Sequence, residues 1–235
     1  MIAIDAIDVS FGGVRAISAL TATLDAPVTG LIGPNGAGKT TLLNVLSGFV
    51  TPTAGAITVD GQDIARLPAH KRSAYGIRRT FQTEQVVLNL SVRDNVAAML
   101  DHVPFAGPRE DAIRAALDYT GLGARAATMG GALAAAERRM VEIARCLAGK
   151  PRLIMMDEPG AGLSQGESDF LRKVIVGIPA HCGAQVLLVD HDVDLISATC
   201  GKTLVLDFGV MIAYGPVEAT LKDPKVRAAY LGAAA

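Results

Sequence analysis

Nine residues, Gly33-Pro34-Asn35-Gly36-Ala37-Gly38-Lys39-Thr40-Thr41, constrain this chain more than any others. They satisfy G-x-x-x-x-G-K-[ST], the phosphate-binding loop. The flanks supply the context that the motif needs. Val28 to Ile32 is a short apolar run suited to a buried strand, and Leu42, Val45 and Leu46 then recur at helical spacing. A triphosphate requires backbone N–H groups at close range, with no side chains in the way. Gly33, Gly36 and Gly38 allow that approach, and the positive end of the new helix adds to it. Asn35, Gly36, Ala37, Gly38 and Thr41 are expected to cradle the triphosphate. Lys39 is expected to reach the β- and γ-phosphates, and the Thr40 hydroxyl to ligate Mg²⁺. The sequence predicts a protein that binds a nucleoside triphosphate.

A second group of polar residues falls where an α/β sheet would deliver it to the same place. Leu153-Ile154-Met155-Met156 is an apolar strand that runs into Asp157-Glu158-Pro159, and Gln185 to Asp190 runs into His191. Near-continuous apolar runs mark parallel strands buried on two faces, and ligands of such sheets sit at their C-terminal edge. Asp157 is thus a candidate for the Mg²⁺ hydration shell. Glu158 is a candidate to polarise the attacking water, and His191 to contact the γ-phosphate or that water. Gln82, which closes the short strand pattern Gly76 to Phe81, can present its amide oxygen to Mg²⁺ or the water. Phe11, before Gly12-Gly13, is placed either to stack on an adenine ring or to serve as an ordinary core or surface residue.

The rest of the chain frames these groups. Ile2 to Val9 and Leu20 to Leu24 alternate as an antiparallel hairpin ahead of the nucleotide-binding core, and Ala56 to Asp60 adds a strand. Residues 86–150 change texture to helical, with patterns at Val92 to Leu100, Arg109 to Tyr119 and Glu137 to Leu147. The last has Met140, Ile143, Ala144 and Leu147 on one face and Arg138, Arg139, Glu142 and Arg145 on others. The fold class is therefore α/β, a phosphate-loop core with an N-terminal antiparallel β subdomain and an inserted helical subdomain. A single domain over 1–235 is expected, with 1–85 and 151–235 as the core and 86–150 as the helical part. Half of the 235 residues are hydrophobic, ample for a core. No stretch of 18 residues avoids charges and turn formers, so no membrane span is expected. Met1 to Asp5 lacks the basic start of a signal peptide, and three unpatterned cysteines (Cys146, Cys182, Cys200) fit reduced thiols in the cytosol. A net charge of −1 gives no electrostatic reason to expect nucleic acid as a partner.

Taken in order, the phosphate loop, Gln82, the acidic strand to Glu158, Ala161-Gly162-Leu163-Ser164 and His191 resemble the ATP-binding-cassette (ABC) ATPases over essentially the whole chain. Ala161 to Ser164 is similar to that family's D-loop and His191 to its switch histidine. Phe11-Gly12-Gly13, Arg79-Thr80-Phe81-Gln82, Val141 to Arg145 and Ala229-Tyr230-Leu231-Gly232 resemble the ATP-binding subunits of branched-chain (hydrophobic) amino-acid importers. The related urea-type importers and lipopolysaccharide-export ATPases stay open as readings of the same resemblance. The resemblance implies hydrolysis of Mg·ATP in a head-to-tail dimer. It also implies an integral membrane permease as partner, a solute-binding protein acting through it, and a cytoplasmic position on the inner face of the cell membrane. One stretch departs from the pattern. The family's signature, Leu-Ser-x-Gly-(Gln/Glu), closes the other subunit's ATP site, and here it reads Leu133-Ala134-Ala135-Ala136-Glu137. Ala134 brings no hydroxyl, and Ala136 adds a methyl where backbone must approach phosphate. Two expectations follow from that departure. In one, the chain pairs with a different subunit whose intact signature closes its competent half-site. In the other, the Ala135 and Ala136 N–H groups suffice in a homodimer. The alternative function is a non-hydrolysing or weakly hydrolysing nucleotide-binding partner in a heterodimeric complex, or an importer of another solute such as urea.

Overall fold

The computed structural model describes residues 1–231; Gly232, the last residue of the tail pattern, lies outside the described residues. The hairpin is longer than its alternation indicated, with β1 at Ile2–Phe11 and β2 at Val14–Leu24. Register shifts in β1 and left-handed Ala6 (φ 45°) and Ala19 (φ 44°) interrupt the alternation, which is why the pattern read as broken. Next come β3 (Val28–Ile32), buried at every residue, and α1 (Lys39–Ser47). Then follow β4 (Ala54–Val59), β5 (Gln62–Asp63), α2 (Ala69–Tyr75) and β6 (Ile77–Arg79). Between β6 and β7 every regular element is helical. These are α3 (Val92–Leu100), α4 (Arg109–Tyr119), two short 3₁₀ turns and α5 (Ala135–Leu147). The chain ends with β7 (Leu153–Asp157), α6 (Gln165–Cys182), β8 (Gln185–Val189), α7 (Val193–Thr199), β9 (Lys202–Asp207), β10 (Val210–Pro216), α8 (Val217–Lys222) and α9 (Pro224–Leu231).

Two sheets result. The four-stranded one has order β2-β1-β4-β5 and is antiparallel, so the early hairpin recruits β4 and β5. The six-stranded one has order β10-β9-β3-β8-β7-β6, parallel from β9 to β6 with β10 antiparallel at one edge. Helix α1 is buried between the sheets, and Leu42, Leu43, Val45 and Leu46 share one core cluster with Ile4, Ile17, Met155 and Leu204. The other face of the large sheet packs against the helices, where Ile154, Met156 and Val186 meet Val141, Ile143 and Ile175. The 18-residue helix α6 follows Ala161 to Ser164. Ser164 caps it, with the Glu167 carboxylate accepting from both the Ser164 N–H (2.7 Å) and its hydroxyl (2.6 Å). Among the described residues no helix is long and apolar enough to cross a membrane.

Candidate active site

Strand β3 pairs with β8 on one side and β9 on the other, which fixes where the chain must turn. The phosphate loop turns there, between Ile32 and Lys39. Gly38 has φ +100°, and a methyl on it would sit 2.8 Å from the Ala16 carbonyl oxygen, so only glycine fits at that point. Gly36 has φ +81° but faces open space, with nothing within 4 Å of the place a methyl would occupy. The loop is thus packed on its inner side and bare on its outer side. Asn35, Gly36 and Thr40 are exposed, Thr41 is half-buried, and Ala37 is buried with its carbonyl accepting from Gly209 N–H at 3.0 Å. The Lys39 ammonium curls over the loop and donates to the Gly33 and Pro34 carbonyls at 2.6 and 3.0 Å. Burial lowers its pKa, while the charges of Glu158 and Asp157 oppose that shift.

Three of the other candidates meet at the C-terminal edge of the large sheet, beside that lysine. Glu158 follows β7 in a left-handed conformation (φ 48°), strained for a side chain of its size, and its N–H donates to Val189 at 2.8 Å. The Gln82 amide nitrogen donates to Glu158 Oε2 at 3.0 Å, which leaves the amide oxygen free. His191 Nδ1 lies 3.8 Å from Glu158 Oε1 and 3.7 Å from Asp190 Oδ1, and the imidazole is three-quarters exposed. Asp157 is buried, with Oδ2 bound to Arg79 Nη2 at 2.8 Å. Phe11 stands half-exposed at the turn end of the β1–β2 hairpin, whose Ala16 abuts Gly38.

The Ala134 to Glu137 stretch is not brought to the phosphate loop. It forms the start of α5, two residues earlier than the apolar pattern indicated, and faces a cleft shared with Leu163, Gly166 and Phe170. Ala134 is the N-cap, and the Glu137 carboxylate accepts from its N–H at 2.9 Å and meets Arg125 at 3.0 Å.

Sequence reasoning missed the groups that hold this site. Arg79 ties Asp157 to Asn44 (2.7 Å) on α1, locking the acidic strand to the phosphate-loop helix. Arg139 and Glu142 were expected off the apolar face of α5, yet they are 3% and 4% exposed. They form a buried ion pair at 2.9 Å, and Arg139 donates to the Phe81 and Gln82 carbonyls at 2.6 and 3.0 Å. Glu142 accepts from Gln85 N–H at 2.8 Å, and burial pushes its carboxyl up. Helical periodicity counts charges as solvent-facing; a buried strap of backbone polar groups reverses that.

The metal-ligand candidates Thr40 and Gln82, with Asp157 for the hydration shell, would offer oxygen donors only. Among the described residues no group of three His, Cys, Asp or Glu side chains is arranged to hold a metal. Such a set fits Mg²⁺, which keeps waters and takes phosphate oxygens, better than it fits a metal caged by protein.

The ABC transporter family model matches residues 23–161. The chain belongs to the ABC transporter family. It is 34% identical to the high-affinity branched-chain amino acid transport ATP-binding protein BraF of Pseudomonas aeruginosa, over 95% of this chain and 94% of that one. It is 35% identical to the lipopolysaccharide export system ATP-binding protein LptB of Escherichia coli, over 95% and 93%. The solved ADP conformation of an ATP-binding cassette of an ABC transporter superposes with a TM-score of 0.86 at 28% identity, covering 99% of this chain and 98% of that one. The chain is accordingly an ABC ATPase, a mixed α/β phosphate-loop protein that binds nucleotide.

Proposed function

We propose that the chain is the ATP-binding subunit of an importer of branched-chain or other hydrophobic amino acids. It is one cassette domain, with 86–150 as the helical subdomain, held by a permease on the inner face of the membrane. The observation that carries the catalytic part is the Gln82–Glu158–His191 cluster beside Lys39. ATP lies along the bare outer side of the phosphate loop, where Lys39 exchanges the Gly33 and Pro34 carbonyls for phosphate oxygens. The exchange needs little movement, because the ammonium already lies within the loop's curve. Phe11 offers its ring to the adenine. Thr40, Gln82 and Asp157 are the residues that would hold Mg²⁺, and the ion when bound would neutralise phosphate charge. Glu158 takes a proton from the water whose oxygen bonds to the γ-phosphorus as the bond to the bridging oxygen breaks and ADP leaves. The donated Gln82 hydrogen bond fixes one carboxylate oxygen, and the exposed His191 turns from the Glu158 and Asp190 carboxylates to the γ-phosphate.

A second subunit completes the site, because Ala134 to Ala136 cannot reach this chain's own loop. The altered signature favours a heterodimer, in which this chain supplies a complete half-site and a partner closes it. The cleft between β6 and the helical subdomain, next to the Gln82 loop, is the docking place for the permease.

Two experiments test the reading. ATP turnover is measured for the purified chain over a range of concentrations. Slow turnover that rises when a second cassette is added supports the heterodimer, whereas fast turnover growing as the square of concentration sinks it. Cargo is tested with the reconstituted permease complex. Branched-chain amino acids with their binding protein should stimulate turnover; stimulation by lipopolysaccharide instead would assign the chain to the kind of work its export relative is named for.

A further inference from the structure

Two hairpins of this chain turn on a pair of residues that both have positive φ, as the tightest hairpin turn requires. In β4–β5, Val59 pairs with Gln62 across Asp60 (φ 48°) and Gly61 (φ 79°). In β9–β10, Asp207 pairs with Val210 across Phe208 (φ 43°) and Gly209 (φ 78°). Asp-Gly is what such a turn selects, because a short polar side chain tolerates the left-handed region. Phenylalanine in the same place is strained. Its ring is also 83% exposed, more than any other large apolar side chain among the described residues. Neither the turn nor the core gains from a ring at position 208.

The position of the turn supplies the reason. A methyl on Gly33 would lie 2.2 Å from the Leu206 carbonyl oxygen, and one on Gly38 would lie 3.5 Å from Gly209 Cα. The β9–β10 turn is therefore packed against both ends of the phosphate loop. Gly209 N–H donates to the Ala37 carbonyl at 3.0 Å, and the Gly209 carbonyl accepts from Ser18 N–H on β2 at 2.9 Å. A methyl on Gly209 would lie 2.6 Å from the Ala16 carbonyl oxygen, so the turn also abuts the hairpin that carries Phe11. Phe11 pairs with Val14, two residues before Ala16. At about 3.3 Å per strand residue and about 5 Å between paired residues, the Phe11 and Phe208 backbones stand roughly 10–15 Å apart. Phe11 is 52% exposed, so both rings face water. Two rings that hold a flat group between them at van der Waals contact stand about 7 Å apart. Side chains that lean towards each other across this span can supply that gap.

We propose that Phe208 is a second base-contacting residue, and that the aromatic base of the bound nucleotide lies between the Phe208 and Phe11 rings. The assignment rests on the reading above, in which ATP runs along the bare outer side of the loop with its base at Phe11, and it adds the second ring. The strained turn then has a purpose. The left-handed backbone holds the ring out from the sheet edge, and Gly209 pins that backbone to the loop that carries the phosphates. Stacking recognises the face of a base, so the contact adds affinity without a hydrogen bond to the base edge.

The test measures, by calorimetry on the full chain, the binding of ADP and of tripolyphosphate, which has no base. Phe208→Ala is expected to bind ADP about 5–100-fold more weakly, the range for one base–aromatic stack, and tripolyphosphate as the wild type does. Phe208→Tyr keeps the ring and should keep the ADP affinity. Phe208→Asn installs a residue that the turn favours. It should melt about 2–4 °C higher than the wild type and yet share the loss for ADP, which separates binding from folding. Wild-type ADP affinity in Phe208→Ala overturns the proposal. If turnover of that variant also loses its dependence on protein concentration, the ring belongs to the contact with a second subunit instead. An equal loss for ADP and tripolyphosphate overturns it too, because the turn would then be holding the loop and not the base. Phe11→Ala keeps the underlying reading separate. Loss there with none at Phe208 removes only the second ring, and no loss at either removes the placement of the base as well.

Discussion

Helix α1 begins at the phosphate loop and α5 at the stretch that the proposed dimer would present to a second subunit's ATP, yet the two are finished in opposite ways. The start of α1 is stripped. Gly38 is its N-cap, its first turn holds no acidic residue, and Lys39 adds a cation to the positive end of the helix. The start of α5 is furnished. Ala134 and Ala136 carry methyls, and Glu137 in the first turn occupies the Ala134 N–H and pairs with Arg125. The helix dipole is common to both, so the dipole alone does not make a phosphate site. Bare backbone and a nearby cation do, and only α1 has them. In the proposed dimer the chain would therefore be strong in one half of a shared site and weak in the other.

The largest predicted effect removes the strong half. Glu158→Gln keeps the shape and the Gln82 contact but takes away the proton acceptor. Turnover by the assembled complex should fall by about 10²–10⁴, the range for a general base, while nucleotide affinity changes little. Unchanged turnover would move the base elsewhere. Next comes the support beneath that half. Arg79→Met leaves Asp157 buried without its cation, at a cost of about 3–5 kcal/mol. In a chain of this length that corresponds to a melting temperature lower by roughly 6–20 °C. The paired change Arg79→Met with Asp157→Asn should recover part of the loss, and a failure to do so would show that the partner that matters is Asn44, or Phe81, whose ring centroid lies 5.0 Å from the Arg79 guanidinium.

Repairing the weak half should have a smaller and opposite effect. Ala134→Ser with Ala136→Gly restores a hydroxyl and a bare backbone at the start of α5. One hydrogen bond to a charged group is worth about 1.5–3 kcal/mol, so turnover of the chain on its own should rise about 10–100-fold. No rise, with a wild type already fast, would mean that the alanine loop closes a site as it stands and that the contrast between α1 and α5 has no catalytic consequence.

Much of the strong half was legible because its chemistry is local. The phosphate loop and Leu153–Asp157 need only their own residues to be recognised, and β3 and β7 fall where the apolar runs placed them. Gln82 and His191 were legible because parallel strands deliver their C-terminal residues to one edge. What escaped was long-range. Nothing in the α5 pattern told that Arg139 and Glu142 face inward, since their partners lie almost 60 positions earlier, around Phe81 to Gln85. Arg79 escaped for the same reason, its partners being on α1 and β7. Helix α6, with Gly166, Gly177 and Pro179 in its sequence, had too weak a pattern to be read at all.

The smallest effect concerns the residue behind His191. Asp190 is 3% exposed, with Oδ1 accepting from Asp192 N–H at 3.0 Å and Oδ2 without a partner among the described residues. Burial raises its pKa, against the pull of the Asp192 N–H and the His191 charge. A carboxyl raised in the folded state favours folding while protonated, so its contribution is present at low pH and is lost as pH climbs through the folded-state value. Asp190→Asn keeps the acceptor and removes the titration. The variant should therefore match the wild type in melting temperature near pH 4 and exceed it increasingly towards pH 7. Each unit of displacement amounts to about 1.4 kcal/mol, a gap of a few degrees. A constant gap across that range would mean that the Asp190 carboxylate stays ionised, paired with His191. The imidazole would then be divided between Asp190 and Glu158 instead of being free to turn to the γ-phosphate.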